Sequence, residues 1–231
     1  MIIKTGTTID WEWVKKELCD KERIKPGSCG GAGDAVLAYS EEAMKKAASL
    51  VCPDQAAAKR RVLRIGEDYV ELEGDMRFSG KRLPPYMNGA SEICIFLVTI
   101  GSALEQEAST FMAKGDYLRG YLLDRAGSFA VESLAISAEK ALRDAYVVEE
   151  KSVSIRMSPG YCDWPIEEQA VLAKILDFSS IGVSLTERFM MKPKKTISAV
   201  VAVGAKGVFS SSRSQCGICD MKDCGYRRGN A

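Results

Sequence analysis

The helical pattern that runs from Asp116 to Tyr146 constrains the fold of this chain more than any other stretch. It contains no proline, which predicts one continuous helix. Its middle, Ala126–Ile136, is small and apolar on every side except at Glu132, and a helix with such a surface is buried. A buried carboxylate without a partner costs roughly several kcal/mol, so Glu132 needs a cation nearby. Arg156 and the ammonium group of a ligand are both candidates.

Shorter periodic segments predict an antiparallel sheet that packs against this helix. Ile93–Thr99 is continuous, apolar and rich in β-branched residues, as is typical of a strand buried on both faces. Two hairpins are predicted, one around the turn Gly66–Asp68 and one that joins Gly182–Met190 to Thr196–Val203. Ser152–Arg156 is a further predicted strand. The other predicted helices are Trp11–Cys19, Asp34–Val51, Ser102–Ala113 and Pro165–Leu176.

These elements predict a single α+β domain over residues 1–210, followed by a cysteine-rich tail over residues 211–231. We expect an antiparallel sheet flanked by helices, with the long helix central. The chain is 46% hydrophobic and carries a net charge of +1, which predicts a substantial core and no general attraction to nucleic acid. No apolar run is long enough to cross a membrane or to form a secretory signal, so we expect a cytoplasmic protein.

Histidine is absent from the chain, which excludes several kinds of site. A catalytic triad built on histidine, a zinc ion held by histidine and a protein imidazole as the lower ligand of a corrinoid are all ruled out. Any function of this chain therefore proceeds without the commonest acid–base residue.

The turn Arg156–Trp164 concentrates residues that suit a ligand. Pro159 fixes its own φ, and Gly160 permits positive φ or a close approach to the backbone. Such a turn can offer amide groups to an anion beside Arg156, whose planar guanidinium suits a carboxylate. Tyr161 and Trp164 would then face an apolar or cationic part of the same ligand. The alternative is a tight structural turn with an aromatic lid.

This turn and the residues that follow it resemble the S-adenosylmethionine-binding activation domain of cobalamin-dependent methionine synthase. The matching stretch, Arg156–Met191, reads RMSPGYCDWPIEEQAVLAKILDFSSIGVSLTERFMM. It contains Arg-x-x-Pro-Gly-Tyr, a helix led by proline and the strand Ser-Leu-Thr-Glu-Arg-Phe-Met-Met. Weaker similarity extends back through the long helix to Asp10-Trp11, so the resemblance covers most of the chain but not its cysteine-rich end.

The resemblance implies a binding site for S-adenosylmethionine. In the family, the main chain of the turn holds adenine and ribose. A glutamate of the long helix and an aspartate in an Ile-Asp-Trp setting meet the ligand ammonium. Glu132 falls on this glutamate by counting back from the end of the helix; its structural alternative is an ion pair with the sheet. For Asp10 the alternative is the N-cap of the first helix. The family also has tyrosines in the strands after the turn, where Thr196–Phe209 has none. The predicted site residues are Asp10, Glu132, Arg156, Met157, Ser158, Pro159, Gly160 and Tyr161.

A second group of candidate ligands lies near the end of the chain, as Cys216-x-x-Cys219-x-x-x-x-Cys224. The family domain has no such tail. Three thiolates at these spacings suit an iron–sulfur cluster or zinc, and each centre needs one further ligand. Cys162 and Cys29 are candidates for that ligand, and unligated cysteines are the remaining alternative.

The resemblance implies a function as a partner rather than as a catalyst. In the family, an inactive cob(II) corrinoid accepts an electron and then a methyl group from S-adenosylmethionine, and the domain positions the methyl donor. We therefore expect a stand-alone activation subunit that acts on a corrinoid protein, most simply a methionine synthase core, with cobalamin on the partner and an electron donor protein. The alternatives are an iron–sulfur corrinoid activator without S-adenosylmethionine, and a docking subunit held together by zinc.

Overall fold

The computed structural model describes residues 7–24, 32–161 and 164–210. Six α-helices and eight strands lie within these ranges. The helices are α1 Trp11–Lys21, α2 Ala32–Leu50, α3 Leu83–Met87, α4 Ala103–Ala113, α5 Tyr117–Val148 and α6 Gln169–Ile175. The strands are β1 Asp54–Ile65, β2 Tyr69–Leu72, β3 Met76–Ser79, β4 Ala90–Thr99, β5 Lys151–Val153, β6 Ser184–Leu185, β7 Met191–Lys192 and β8 Thr196–Ala205. Within these ranges, no helix is both long enough and apolar enough to cross a membrane.

Six of the strands form one antiparallel sheet in the order β3-β2-β1-β4-β8-β5. Strands β4 and β8 are central, and they pair along almost their whole length from Ala90–Gly204 to Thr99–Thr196. Strand β5 forms the edge next to β8. The turn that follows β5 therefore lies at the side of the sheet, beside the start of β8.

Both faces of the central sheet are covered, which explains the continuous apolar sequence of β4. Cys94, Phe96 and Val98 pack into a core shared with α1, α2, α4 and α5. Ile93 and Ile95 alternate with them and pack into a second core, which contains α3 and α6. Below we call these two sides of the sheet the α5 face and the α6 face.

Helix α5 is 32 residues long and is the central element of the α5 face. It packs against α1, α2 and α4, and it also lies over β4, β5 and β8. Ala126, Ala130 and Leu134 are buried along its length. The predicted fold class, an antiparallel sheet flanked by helices with one long central helix, is confirmed.

The structure corrects the predicted second hairpin. Gly182–Met190 does not pair with Thr196–Val203; instead, the two-residue strands β6 and β7 pair with each other. Strand β8 lies between β4 and β5. The alternating pattern of β8 was sufficient to predict a strand, but it carries no information about which distant strand becomes its neighbour.

Candidate functional site

Arg156 lies just beyond β5, where the chain still follows the sheet. Met157 and Val200 exchange two backbone hydrogen bonds of 2.8 Å, which hold this segment antiparallel to β8. The Met157 side chain is buried on the α6 face. Because successive side chains of an extended segment point to opposite sides, Arg156 reaches the α5 face. Its register on β8 therefore directs the guanidinium towards α5.

The guanidinium of Arg156 contacts two carboxylates of α5. Its Nη2 donates to Glu132 Oε1, and its Nε lies 3.6 Å from Glu139 Oε2. The Arg156 side chain is only 12% exposed and that of Glu132 is 24% exposed. The predicted pairing of Glu132 with Arg156 is therefore present, and it closes the long helix onto the edge of the sheet.

One nitrogen of this guanidinium has no partner among the residues that the structure describes. Arg156 Nη1 is buried and makes no hydrogen bond to any of the described residues. Buried polar groups are almost always hydrogen-bonded, and an unmet charged donor is costly. The geometry therefore offers one charged, desolvated donor to a small anion such as a carboxylate.

Two further residues of α5, Glu139 and Arg143, complete the charged cluster. Glu139 Oε1 accepts a hydrogen bond of 2.8 Å from Arg143 Nη2. Arg143 also donates to the main-chain oxygens of Val153 and Ser154, at 2.7 and 2.6 Å. Sequence reasoning missed both residues. The sequence did carry a signal for them in their spacing: Glu139 lies about two helical turns after Glu132, and Arg143 lies about one turn after Glu139.

Asp10 is the N-cap of α1, since its Oδ1 accepts a hydrogen bond of 3.0 Å from the backbone N–H of Trp13. Its own backbone N–H donates to Ser133 Oγ at 2.8 Å, next to Glu132 on α5. The capping alternative is thus present in the structure. The hydrogen bond to Ser133 also brings Asp10 to the helix that carries the charged cluster.

The turn after Arg156 is closed by its own hydrogen bonds. Gly160 has φ of 91° and donates to Trp164 O at 2.7 Å, while Tyr161 donates to Ser158 O at 3.3 Å. Ser158 Oγ bonds Ser198 O at 2.8 Å, which ties the turn to β8. The amides of Gly160 and Tyr161 are therefore engaged within the turn, which corrects the expectation that they are offered to an anion.

The two aromatic residues of the turn occupy different environments. Trp164 is 1% exposed and packs edge-to-face on Phe78, with ring centroids 5.2 Å apart. It belongs to the core of the α6 face, so its predicted role as a ligand-facing aromatic is wrong. Tyr161, by contrast, is 58% exposed at the surface of the turn.

The sequence profile described as "Vitamin B12 dependent methionine synthase, activation domain" matches residues 33–211 of this chain. The chain belongs to this family. A solved structure, the "MetH Reactivation Domain bound to AdoHcy", is similar at a TM-score of 0.56 and 19% sequence identity. The match covers 84% of this chain and 73% of that one, and it shows a shared fold. No curated protein sequence matches significantly.

This activation domain has no candidate metal centre within residues 7–24, 32–161 and 164–210, where no three Cys, Asp or Glu side chains are grouped to hold an ion. The predicted metal ligands Cys216, Cys219 and Cys224 lie outside the described residues, as do Cys162 and Cys29. Among the described cysteines, Cys94 is fully buried, and burial raises the pKa of its thiol to about 12.

Proposed function

We propose that this chain binds S-adenosylmethionine beside Arg156 and presents it to a corrinoid on a partner protein. The observation that carries the proposal is the buried Arg156 Nη1, which lacks a partner among the described residues. A ligand carboxylate would satisfy that donor, and charge-assisted hydrogen bonds of this kind are among the strongest in proteins.

The neighbouring acid gives this site the polarity of an amino acid. Glu132 is partly exposed and lies against Arg156, so a carboxylate and a guanidinium stand side by side. The amino-acid end of S-adenosylmethionine carries the complementary pair, a carboxylate and an ammonium group. Asp10, anchored to Ser133, is a second acceptor for the ammonium. The AdoHcy bound to the similar reactivation domain has the same amino-acid end, which supports this choice of ligand.

The adenosine part of the ligand would lie along the turn from Met157 to Tyr161. Gly160 keeps this turn narrow, since a Cβ at that position would lie 3.2 Å from Ile166 Cδ1. Exposed Tyr161 offers an aromatic face to the sulfonium, where a cation–π contact stabilises positive charge. The residues we assign to the site are Asp10, Glu132, Arg156, Met157, Ser158, Pro159, Gly160 and Tyr161.

Calorimetric titration with S-adenosylmethionine tests the proposal. Arg156→Ala removes the carboxylate partner, and we expect affinity to fall by about 2–4 kcal/mol, or about 30- to 900-fold. Arg119→Ala is the matched control, because Arg119, like Arg156, is paired with two carboxylates, here those of Glu42 and Asp116. Its affinity should equal that of the parent. Equal affinity in Arg156→Ala and the parent would refute the site.

The corrinoid partner follows from the family. The matching profile is that of the activation domain of a B12-dependent methionine synthase, so we propose a corrinoid protein or a methionine synthase core as the partner. The chain contributes no histidine, so the lower ligand of the corrinoid would come from elsewhere. To test this, the partner is mixed with a reductant and S-adenosylmethionine, with and without this chain. Absorbance then measures the conversion of cob(II)alamin to methylcobalamin on the partner. A rate that does not depend on this chain would overturn the assignment.

For the cysteine tail we again propose a metal centre at Cys216, Cys219 and Cys224, with an iron–sulfur cluster preferred over zinc. The reason is chemical, because reduction of a cob(II) state requires an electron that a cluster can relay. Metal content and visible absorption after anaerobic purification separate the alternatives. Iron with a broad visible band would support electron relay, zinc alone would support a structural role, and no metal would exclude both centres.

A further inference from the structure

Glu139 links the candidate ligand-binding arginine to the interior of the domain. On one side its Oε2 lies 3.6 Å from Arg156 Nε. On the other side its Oε1 accepts hydrogen bonds from Arg143, at 2.8 Å from Nη2 and 3.3 Å from Nε. Glu139 is 20% exposed and is thus a mostly buried carboxylate shared by two guanidinium groups.

Arg143 extends this link to the main chain just before Arg156. It donates to Val153 O and Ser154 O, which are the last carbonyl of β5 and the one after it. One arginine of α5 thus fixes the backbone that leads to Arg156, and the carboxylate it holds contacts the Arg156 side chain. Backbone and side chain are positioned from the same two residues of one rigid helix.

A guanidinium has five N–H donors in one plane, so fixing two of its edges determines where the third points. Glu132 holds Nη2 and Glu139 lies next to Nε, which leaves Nη1 as the buried nitrogen without a described partner. If a ligand ammonium drew Glu132 away, Glu139 would remain as the anchor of Arg156. The two acids of α5 therefore have different roles.

We propose that Glu139 is a positioning residue for ligand recognition: held by Arg143, it orients Arg156 towards the carboxylate of the ligand. This inference rests on the proposed function at Arg156. Glu139 itself does not contact the ligand in this proposal. Substitution of Glu139 should therefore weaken binding only of ligands that carry the carboxylate, and only while Arg156 is present.

The test compares Glu139→Gln with the parent for two ligands. We expect affinity for S-adenosylmethionine to fall about tenfold, which is within the range of coupling between contacting residues. Methylthioadenosine, which lacks the amino-acid end, should bind both proteins equally. In the Arg156→Ala background, Glu139→Gln should cause no further loss. Glu42→Gln is the control, since it removes a partner of Arg119 at 3.1 Å, distant in sequence from the cluster, and it should change neither affinity.

The outcomes separate this inference from the proposed function. If the parent does not bind S-adenosylmethionine, both fail. If Arg156→Ala weakens binding but Glu139→Gln does not, the site stands and the inference is overturned. An equal loss for both ligands would also overturn it, because it would indicate a general structural effect. If Glu139→Gln does not fold, Arg143→Lys carries the same test, since lysine keeps the charge but loses the planar fork that holds Glu139 and the two carbonyls.

Discussion

Asp10 provides a test that separates two roles of one carboxylate. In the structure its Oδ1 caps α1 by accepting from Trp13 N at 3.0 Å, and we propose that it also meets the ligand ammonium. Asp10→Asn keeps the capping oxygen but removes the charge, whereas Asp10→Ala removes both. The backbone hydrogen bond from Asp10 to Ser133 Oγ is available in all three proteins, so α1 stays attached to α5.

The expected magnitudes differ for stability and for binding. Loss of an N-cap costs about 1 kcal/mol, which lowers Tm by about 2–4 °C for a domain of this size, so Asp10→Ala should show this drop. Asp10→Asn should keep the parental Tm within about 1 °C, because asparagine is an equally good cap. Asp10 is exposed, so its charge should contribute only about 1 kcal/mol to binding, or about fivefold in Kd.

Thermal unfolding and calorimetric titration with S-adenosylmethionine measure the two effects. Asp10→Asn should bind about fivefold more weakly at unchanged stability. Parental affinity in this variant would restrict Asp10 to capping and remove it from the proposed site. A Tm for Asp10→Asn as low as that of Asp10→Ala would instead contradict the capping account.

Three further predictions concern a close contact between helices, a buried thiol and a partly buried carboxyl group. Gly120→Ala should lower the denaturant midpoint, because a Cβ at residue 120 would lie 2.9 Å from Ala108 O of α4. Such overpacking costs about 1–3 kcal/mol, whereas the better helix propensity of alanine returns at most about 1 kcal/mol. An unchanged midpoint would refute the close approach. Cys94 should resist iodoacetamide in the folded protein at about pH 8 and react after denaturation. Labelling of Cys94 in the native protein would contradict its burial. Burial raises the pKa of Glu168, which accepts from Ser79 N, so the folded state holds this proton more tightly than the unfolded state. Stability should therefore fall as pH rises from the ordinary carboxyl value through the raised one; Glu168→Gln should flatten this slope of Tm against pH, and an unchanged slope would refute the assignment.

The elements with the strongest periodicity were the ones that the sequence predicted well. The pattern of α5 is long and lacks proline, and burial of Ala126–Ile136 follows from its apolar surface. Strand β4 was recognisable because both of its faces are covered, so its apolar residues do not alternate with polar ones. Predicted bounds differ from observed ones by only a few residues in both cases, since packing against the sheet reinforces the local preference.

Strand partners were beyond local sequence reasoning. Strands β4 and β8 pair across about a hundred residues of chain, and nothing in either pattern identifies the other as a neighbour. The hairpin predicted for the segment before β8 followed the general preference for adjacent strands to pair. Strand β3 was missed because four residues, Met76–Ser79, are too few to establish a period.

Sequence reasoning identified the pair of Glu132 and Arg156 in the candidate site but not the residues around it. Glu132 was identifiable because an acid in an apolar helix needs a partner, and Arg156 in the following turn was one of two candidate partners, beside a ligand ammonium. Trp164 was assigned wrongly because an aromatic residue in a turn has the same sequence signature whether it covers a ligand or, as here, fills a core beside Phe78. Glu139 and Arg143 were missed because a carboxylate and an arginine four residues apart usually form an exposed helix pair.

The site is inseparable from the core because one helix builds both. Helix α5 buries Ala126, Ala130 and Leu134 against the rest of the α5 face, and the same helix presents Glu132 and Glu139 to the edge of the sheet. A small shift of α5 along the sheet would move both carboxylates together relative to Arg156, whose own position is fixed by β8. Close packing of α5 thus has a consequence beyond stability, because it sets the distance between the acids and the arginine. Substitutions that loosen this packing should weaken recognition of a zwitterionic ligand before they unfold the domain.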